Sequence, residues 1–213
     1  MREKWFPEIV KDLIETSALP FADSNTKFGV DSTGFGKTTY NRWNDIRGTR
    51  LSRKGYLKLH LICSTDSLIV PSVEVTEGNT SDQKMFRPLV EKTSRNFEIS
   101  QVYADAGYSS RENYEFVKRK GGQAFIPFKS NTSGKAHGSY EWLKAYQLWK
   151  NDPETFNKSY HHRSTDESVF SSIKRTKLNF IRSKNYNAGR SEIILKVLCH
   201  NLVILANQNQ NKI

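Results

Sequence analysis

Residues 56–76 read YLKLHLICSTDSLIVPSVEVT and decide the fold of this chain. In the first half, leucines alternate with Lys58, His60 and Ile62, and a period of two is typical of a β-strand. The second half is rich in Val and Ile, which favour strands. Asp66 and Ser67, between the halves, are common turn residues. The stretch therefore predicts an antiparallel hairpin, and with it a sheet at the centre of the fold.

Further strands and helices are predicted on both sides of this hairpin. Upstream, residues 27–32 predict a short strand that ends at Asp31, and downstream, residues 99–104 predict a strand that ends at Asp105. The remaining segments are a strand at 124–128 and helices at about 82–92, 109–120, 140–150 and 189–207, with a further helix that can start at Asp152-Pro153 and lead into residues 160–174. Three consecutive strands followed by alternating helices and strands predict an α/β fold, a mixed sheet flanked by helices.

The chain is expected to hold one main domain with short extensions. Residues 1–24 predict an N-terminal helical segment with this apolar stripe: Trp5, Ile9, Leu13 and Ile14. Residues 25–207 are predicted to form the main domain, and the Asn- and Gln-rich residues 208–213 a frayed tail.

The charge balance indicates a polyanionic partner. The 213 residues include 33 Lys and Arg against 22 Asp and Glu, a formal net charge of +11. A folded basic chain most often meets phosphates as nucleic acid, although a basic protein without such a partner is the alternative.

The cysteines and apolar runs limit the cellular environment. Cys63 and Cys199 both lie in apolar runs without C-x-x-C spacing, which predicts buried free thiols rather than disulfides or a zinc ribbon. The longest apolar run, residues 193–206, is interrupted by polar side chains, so no membrane span is expected. We expect a cytoplasmic protein associated with the nucleoid.

Residues 160–174, YHHRSTDESVFSSIK, concentrate charged side chains. Drawn as one helix, the stretch places these polar residues on one face: Tyr160, Arg163, Glu167, Ser171 and Lys174. The adjoining face is apolar: Val169, Phe170 and Ile173. A carboxylate between cations can hold a divalent metal while the cations bind phosphates. Alternatively, Glu167 lies at capping-box distance from Ser164, and a helix that begins there removes Tyr160 and Arg163 from the shared face.

Three carboxylates stand out by position. Asp31 and Asp105 end predicted strands, and strand ends of a mixed sheet open onto a common edge, where Glu167 can join them. Carboxylates that meet without cationic partners repel one another, and a pair of divalent cations, Mg²⁺ or Mn²⁺, relieves that repulsion. The alternative is that both aspartates are turn residues. Asp82 follows Thr-Ser and is interpreted as a helix N-cap.

Other polar residues are weaker candidates. The loop after the first strand carries side chains that can track a DNA backbone, or else a solvated surface: Arg42, Trp43, Arg47 and Arg50. His161 and His162 point about 100° apart on a helix, so at most one can join a metal site, and exposed histidines are the simpler interpretation. His60 and His200 are assigned to packing.

The spacing Tyr160-x2-Arg163-x3-Glu167-x6-Lys174 resembles the Tyr-Arg-Glu-Lys signature of DDE transposases of bacterial and archaeal insertion sequences. Val30-Asp-Ser-Thr-Gly34 is similar to the first-aspartate strand of that family, and Val102-Tyr-Ala-Asp-Ala-Gly-Tyr108 to its second-aspartate motif. Segments 54–60 and 76–82 also resemble segments of the family, and they occur in the same order along the chain. The resemblance covers about residues 26–206.

The resemblance implies an RNase H-like catalytic domain at residues 25–207, with Asp31, Asp105 and Glu167 as catalytic metal ligands for two Mg²⁺ or Mn²⁺ ions. It also implies that Tyr160, Arg163 and Lys174 contact double-stranded DNA. The expected reaction is cleavage at the element's ends and transfer of the 3′-hydroxyl into target DNA, in a synaptic complex of a homodimer. A nuclease that does not join ends, or a truncated copy that only binds DNA, is the alternative.

Overall fold

The computed structural model describes residues 5–37, 56–135, 138–161, 164–177, 180–183 and 185–210. Within these ranges the helices are α1 (Phe6–Ala18), α2 (Gln83–Thr93), α3 (Arg111–Arg119), α4 (Tyr140–Asn151), α5 (Pro153–Tyr160), α6 (Ser164–Lys177) and α7 (Tyr186–Gln210). The strands are β1 (Lys27–Lys37), β2 (Tyr56–Ser64), β3 (Ser72–Glu77), β4 (Gln101–Ala104), β5 (Gln123–Phe125) and β6 (Phe180–Ile181). Short 3₁₀ turns lie at Leu19–Phe21 and Ala106–Tyr108.

The strands form one mixed sheet in the order β3-β2-β1-β4-β5, with β6 pairing beside β1. The β1, β2 and β3 strands are antiparallel, whereas β4 and β6 run parallel to β1, and β5 runs parallel to β4. The hairpin predicted from residues 56–76 is therefore present as β2 and β3. The predicted architecture is confirmed: an α/β mixed sheet of three antiparallel strands followed by alternating helices and strands.

The first strand is longer than its sequence predicts. It spans 11 residues, so the predicted end at Asp31 is wrong. The β2 strand pairs with β1 as far as Gly36, opposite Tyr56, and this ladder keeps a segment rich in Gly and Thr extended. The β4 strand, in contrast, pairs only as far as Val30, opposite Ala104. Asp31 is therefore the first residue of β1 beyond the β4 pairing.

The two faces of the sheet support separate hydrophobic cores, because side chains alternate along a strand. Phe28 and Val30 of β1 pack with α2, α3 and α4 on one face, which we call face A. Phe35 packs on the opposite face, face B, with α1, α6 and α7. Face B also carries a small aromatic cluster, Tyr103, Phe125 and Phe156, beside α5. Each fully buried large apolar side chain contributes about 1.5–3 kcal/mol to folding.

The N-terminal helix packs through a different stripe from the predicted one. Trp5, Ile9 and Leu13 are exposed, and of the predicted stripe only Ile14 is buried. The buried face of α1 runs through Val10 and Ile14 because these positions meet α7 and β3. Sequence periodicity shows that a helix is amphipathic, but several apolar positions on α1 remain on the solvent side.

One of the two cysteine predictions is wrong. Cys63 is buried in β2, as predicted, whereas Cys199 is exposed on α7. The apolar run around Cys199 forms a helix that buries one face only, and Cys199 lies on the other. Within the described ranges, the chain contains no helix with the length and apolar character needed to cross a membrane.

Candidate active site

Asp31 and Asp105 occupy neighbouring positions on adjacent strands. The last parallel pair of β1 and β4 is Val30 opposite Ala104, so the next residue on each strand is an aspartate. Adjacent strands are about 4.8 Å apart, and equivalent residues of neighbouring strands point to the same face. Asp31 and Asp105 are both half-buried and both lie on face B. The sheet thus brings together the two aspartates singled out in the sequence.

Backbone amides orient both aspartate side chains. Asp31 Oδ1 accepts a hydrogen bond from the Ser32 N–H at 2.8 Å, within a strand, so Asp31 is not the turn residue that the alternative required. Asp105 Oδ1 accepts from the Gly107 N–H at 2.8 Å and caps the 3₁₀ turn, so its turn role is real. A Cβ at position 107 would lie 2.9 Å from Asp105 Oδ1, and glycine avoids this clash. Each of these bonds leaves its carboxylate with a fixed orientation.

Tyr108 reports the crowding of negative charge around this point. Its ring is buried on face A against Phe86, with ring centroids 5.8 Å apart. Burial raises the pKa of Tyr108 strongly, and the negative charges of Asp82, Asp31 and Asp105 raise it further. Tyr108 therefore lies within electrostatic range of three carboxylates, from the start of α2, from β1 and from the end of β4. In the sequence, Tyr108 is recognisable only as the last residue of the 102–108 motif, which indicates no separate role for it.

The stretch at residues 160–174 is not one helix. Helix α5 ends at Tyr160, and α6 begins at Ser164, the start that the capping alternative named. The prediction of a single face through Tyr160, Glu167 and Lys174 is therefore wrong for Tyr160. The N–H of His161 already bonds back to Asn157 and Ser159 at the end of α5, which closes that helix. Glu167 and Lys174 remain on the same side of α6 because they are seven residues apart.

Helix α6 is held on face B by its apolar side. Val169 and Ile173 are fully buried in the face B core, as predicted from the sequence, while Glu167 is exposed. Lys174 Nζ donates a 2.5 Å hydrogen bond to Thr33 Oγ1 and lies 5.6 Å from the centroid of the Phe35 ring. Since Thr33 lies two residues after Asp31 on the same face, Lys174 is a cation beside the aspartate pair.

Tyr160 lies on the other side of the aspartate pair from Lys174. It is half-buried, and its ring stacks on Phe156, with centroids 6.0 Å apart and an interplanar angle of 25°. Phe156 packs against Phe125, which stacks on Tyr103, and Tyr103 lies two residues before Asp105 on the same face. The end of α5 and the body of α6 therefore flank Asp31 and Asp105.

Several predicted residues lie outside the described part of the chain: Arg42, Trp43, Arg47, Arg50, His162 and Arg163. Their proposed contacts with DNA stay predictions. His161 is exposed, and His60 and His200 are buried, as predicted. His200 Nε2 lies 3.0 Å from the Leu68 carbonyl oxygen, and burial lowers the pKa of its imidazole.

The chemistry of the aspartate pair fits a hard divalent cation. Carboxylate oxygens are the ligands that Mg²⁺ and Mn²⁺ prefer, and a divalent cation bound at this sheet edge would offset the repulsion between the two carboxylates. Within the ranges that the structure describes, no three His, Cys, Asp or Glu side chains are arranged to hold a metal ion. The structure thus brings Asp31 and Asp105 together, with Glu167 on the same face but not in a closed cluster with them.

A second polar cluster, on face A, was missed in the sequence. Asp82 occupies the N-cap position of α2, as predicted, but its side chain makes no capping bond. Instead it pairs with Lys58 at 2.6 Å and accepts a hydrogen bond from Ser32 Oγ at 3.0 Å. His60 Nδ1 lies 3.4 Å from Asp82. The available signal was the presence of two polar residues, Lys58 and His60, at alternate positions of an otherwise apolar central strand.

The sequence matches a known protein family. The family described as the transposase DDE domain matches residues 25–202. A comparison of the sequence with curated proteins gives no match.

Three solved structures share a distant likeness. The Mos1 transposase paired-end complex with the left transposon end and a pre-cleavage Mos1 transpososome each have 10% identity and a TM-score of 0.33. The Mos1 mariner paired-end complex with Mn has 9% identity and a TM-score of 0.32. Each similarity covers 97% of this chain but only 63%, 64% and 63% of the respective Mos1 chains. Likeness at this level adds nothing on activity, whereas the family match spans most of the sequence and both aspartates. The chain belongs to the transposase DDE domain family.

Proposed function

We propose that this protein is a DNA transposase of an insertion sequence, of the class that carries the Tyr-Arg-Glu-Lys signature. The observation that carries the proposal is the family match over residues 25–202 together with the neighbouring positions of Asp31 and Asp105. The proposed reaction is cleavage at the ends of the element, followed by transfer of the freed 3′-hydroxyl into target DNA. The catalytic domain is proposed to span residues 25–207.

Asp31, Asp105 and Glu167 are the proposed ligands of two Mg²⁺ or Mn²⁺ ions. When bound, such ions activate the attacking hydroxyl and stabilise the leaving oxygen of a phosphodiester. The contribution of the protein is to hold Asp31 and Asp105 in fixed orientations through the Ser32 and Gly107 amides. Glu167 supplies the third carboxylate from α6.

The basic residues are proposed to grip the DNA. Lys174, held beside Asp31 by Thr33, has the position needed to bind a phosphate next to the scissile bond. Tyr160 and Arg163 are proposed to contact the transposon end from the segment that joins α5 and α6. The loop residues proposed to follow the DNA backbone are Arg42, Trp43, Arg47 and Arg50. Juxtaposition of two ends in one synaptic complex favours a homodimer.

A strand-transfer assay tests this proposal. The full chain is incubated with Mg²⁺ or Mn²⁺, a duplex that ends in the inverted repeat flanking its gene, pre-cleaved to expose the 3′-hydroxyl, and a supercoiled target plasmid. We expect joined products that disappear when a chelator is added. Cleavage of uncut ends without any joining would instead indicate a nuclease. Binding of the ends that survives chelation, with neither product under any metal, would indicate a chain that only binds DNA.

A further inference from the structure

The cluster of Asp82, Lys58, Ser32 and His60 lies directly behind Asp31, on the opposite face of β1. Ser32 is next to Asp31 in sequence and points to face A, because neighbouring residues of a strand point to opposite faces. Its hydroxyl donates to Asp82 Oδ1 at 3.0 Å, and its backbone N–H donates to Asp31 Oδ1 at 2.8 Å. Ser32 thus joins the cluster on face A to the carboxylate on face B.

This connection occurs where β1 has lost one of its neighbours. The pairing with β4 ends at Val30, and pairing with β6 begins only at Gly36. Between these points, among the described strands, β1 is paired through the β2 ladder alone. A strand held on one side twists and shifts more easily than one held on both sides. The hydrogen bond between Ser32 and Asp82 therefore restrains β1 beside Asp31, at a point where β1 lacks pairing on one side.

Asp82 is itself firmly anchored. Its carboxylate is 2.6 Å from Lys58 Nζ of β2, and both side chains are largely shielded, with exposures of 31% and 18%. Beneath them His60 is fully buried, with Nε2 2.8 Å from Thr76 Oγ1 of β3. The cluster therefore links α2, β1, β2 and β3, and its charges are compensated within the fold.

From this geometry we infer that Asp82 is a positioning residue for Asp31: through Ser32 it fixes the backbone amide that orients the Asp31 carboxylate for divalent-metal binding. The inference rests on the proposed function for its metal-binding consequence, but the amide geometry can be tested without it. Residues that orient metal ligands through hydrogen bonds change metal affinity by about 10–100-fold when they are replaced.

Three variants separate positioning from general stability. Ser32→Ala removes the hydroxyl that connects the two faces, Ser32→Thr retains a hydroxyl in a residue that favours strands, and Asp82→Ala removes the carboxylate that accepts the Ser32 hydrogen bond. The matched control is Glu91→Gln, which breaks a 2.6 Å ion pair with Lys120 between α2 and α3, away from β1. Circular dichroism and thermal unfolding establish that each variant is folded.

Two measurements on the full chain are required. Hydrogen exchange of the amide of residue 32, followed by NMR without metal or DNA, should become at least about 10-fold faster in Ser32→Ala and Asp82→Ala, because without the tie to Asp82 this amide is no longer held in place beside Asp31 Oδ1. Binding of Mn²⁺, followed by the paramagnetic resonance signal of the free ion, should weaken about 10-fold in the same two variants. Ser32→Thr and Glu91→Gln should behave as the wild type in both measurements.

The two measurements fail in distinguishable ways. Unchanged exchange of the residue 32 amide in Ser32→Ala and Asp82→Ala, or equal weakening of Mn²⁺ binding in the Glu91→Gln control, overturns the positioning role and leaves the proposed function intact. A wild-type chain that binds no Mn²⁺ overturns the metal site of the proposed function. In that case faster amide exchange in the variants still supports the structural tie between Asp82 and Asp31.

Discussion

The two faces of β1 carry two polar clusters of opposite design. On face A, Asp82 is neutralised by Lys58, bonded to Ser32 and close to His60. On face B, Asp31 and Asp105 are oriented by backbone amides, and among the described residues neither Asp105 nor Glu167 forms an ion pair. A charge that is paired within the fold stabilises it, whereas carboxylates placed close together repel one another and favour binding of a divalent cation. The difference leads us to predict that Asp82 has a structural role and that Asp31 and Asp105 have a functional one.

The largest expected effect is on face B and on activity alone. Asp31→Asn and Asp105→Asn keep the size of the side chain and one oxygen acceptor but remove the charge. We expect DNA cleavage to fall by at least about 1000-fold, equivalent to about 4 kcal/mol of barrier, with the melting temperature unchanged or raised. Gel assays of end cleavage measure the loss of activity, and thermal unfolding measures the melting temperature. Asp23→Asn, an exposed aspartate before β1, is the control and should retain full activity.

If the same substitutions lowered stability, the proposed difference between the two faces would be contradicted. A loss of folding in Asp31→Asn or Asp105→Asn would mean that the face B carboxylates are structural, like Asp82.

The next effect is on face A and on stability. Lys58→Met leaves Asp82 half-buried without its cation, and we expect the free energy of unfolding to fall by about 3 kcal/mol. The double variant Lys58→Met with Asp82→Asn should recover part of this loss, because it removes the uncompensated charge. Urea denaturation measures both. Lys120→Met is the matched control: its partner Glu91 is 45% exposed, so breaking that pair should cost less than about 1 kcal/mol.

The pH dependence of stability should identify the buried imidazole of His60. Burial lowers the pKa of His60 to about 4, with Asp82 opposing and Lys58 assisting the shift. The unfolded chain, with an ordinary histidine pKa near 6.5, therefore binds the proton first as the pH falls. The stabilisation by neutral His60 is complete above about pH 6.5 and is lost as the pH falls from there to about 4, a change on the order of 2 kcal/mol.

Urea denaturation at several pH values measures this effect in His60→Gln and in the wild type. The slope between pH 6.5 and 4 should be shallower in the variant. His161→Gln, at an exposed position, should keep the wild-type slope. An identical slope in His60→Gln would show that His60 is already protonated in the folded protein, and that the face A cluster carries a net positive charge.

The smallest expected effect concerns Lys174 and DNA. Lys174→Met removes one proposed phosphate contact, so end binding should weaken about 3–10-fold near 0.1 M salt, and the slope of log affinity against log salt should fall by about 1. The hydrogen bond to Thr33 is lost as well, at a cost of about 1 kcal/mol of stability. Fluorescence anisotropy with labelled ends measures the affinity. Lys144→Met, at an exposed position of α4, should leave the salt dependence unchanged.

Much of the fold could be predicted from the sequence because its signals are local. The alternation in residues 56–64 and the Asp152-Pro153 start of α5, where Asp152 Oδ1 accepts from the Thr155 N–H at 3.1 Å, involve only residues near in sequence. The second half of β1 could not be predicted, because Gly34 and Gly36 have little preference for strands and the ladder with β2 imposes the extended form. The β6 strand, only two residues long, is likewise defined by its pairing with β1.

The candidate site was predictable to a similar extent. Asp31 and Asp105 follow strand residues that pair with each other, so their adjacency could be expected from strand order. The break between α5 and α6 was present only as the weaker of two alternatives, since helical periodicity continues through it. The contacts of Asp82 could not be predicted, because Thr-Ser-Asp before a helix favours a cap, and its partners Lys58 and Ser32 lie 24 and 50 residues away in sequence.

The membership of β1 in both hydrophobic cores has a consequence for how the protein opens. Phe28 and Val30 belong to the face A core and Phe35 to the face B core, so neither core can separate from the sheet without exposing part of this strand. Local openings should therefore begin at the helices and at β5, while amides in the β1–β2 ladder exchange only in global unfolding. Asp31 thus lies on the segment expected to open last, so heat or denaturant should disrupt the surrounding helices before it displaces Asp31.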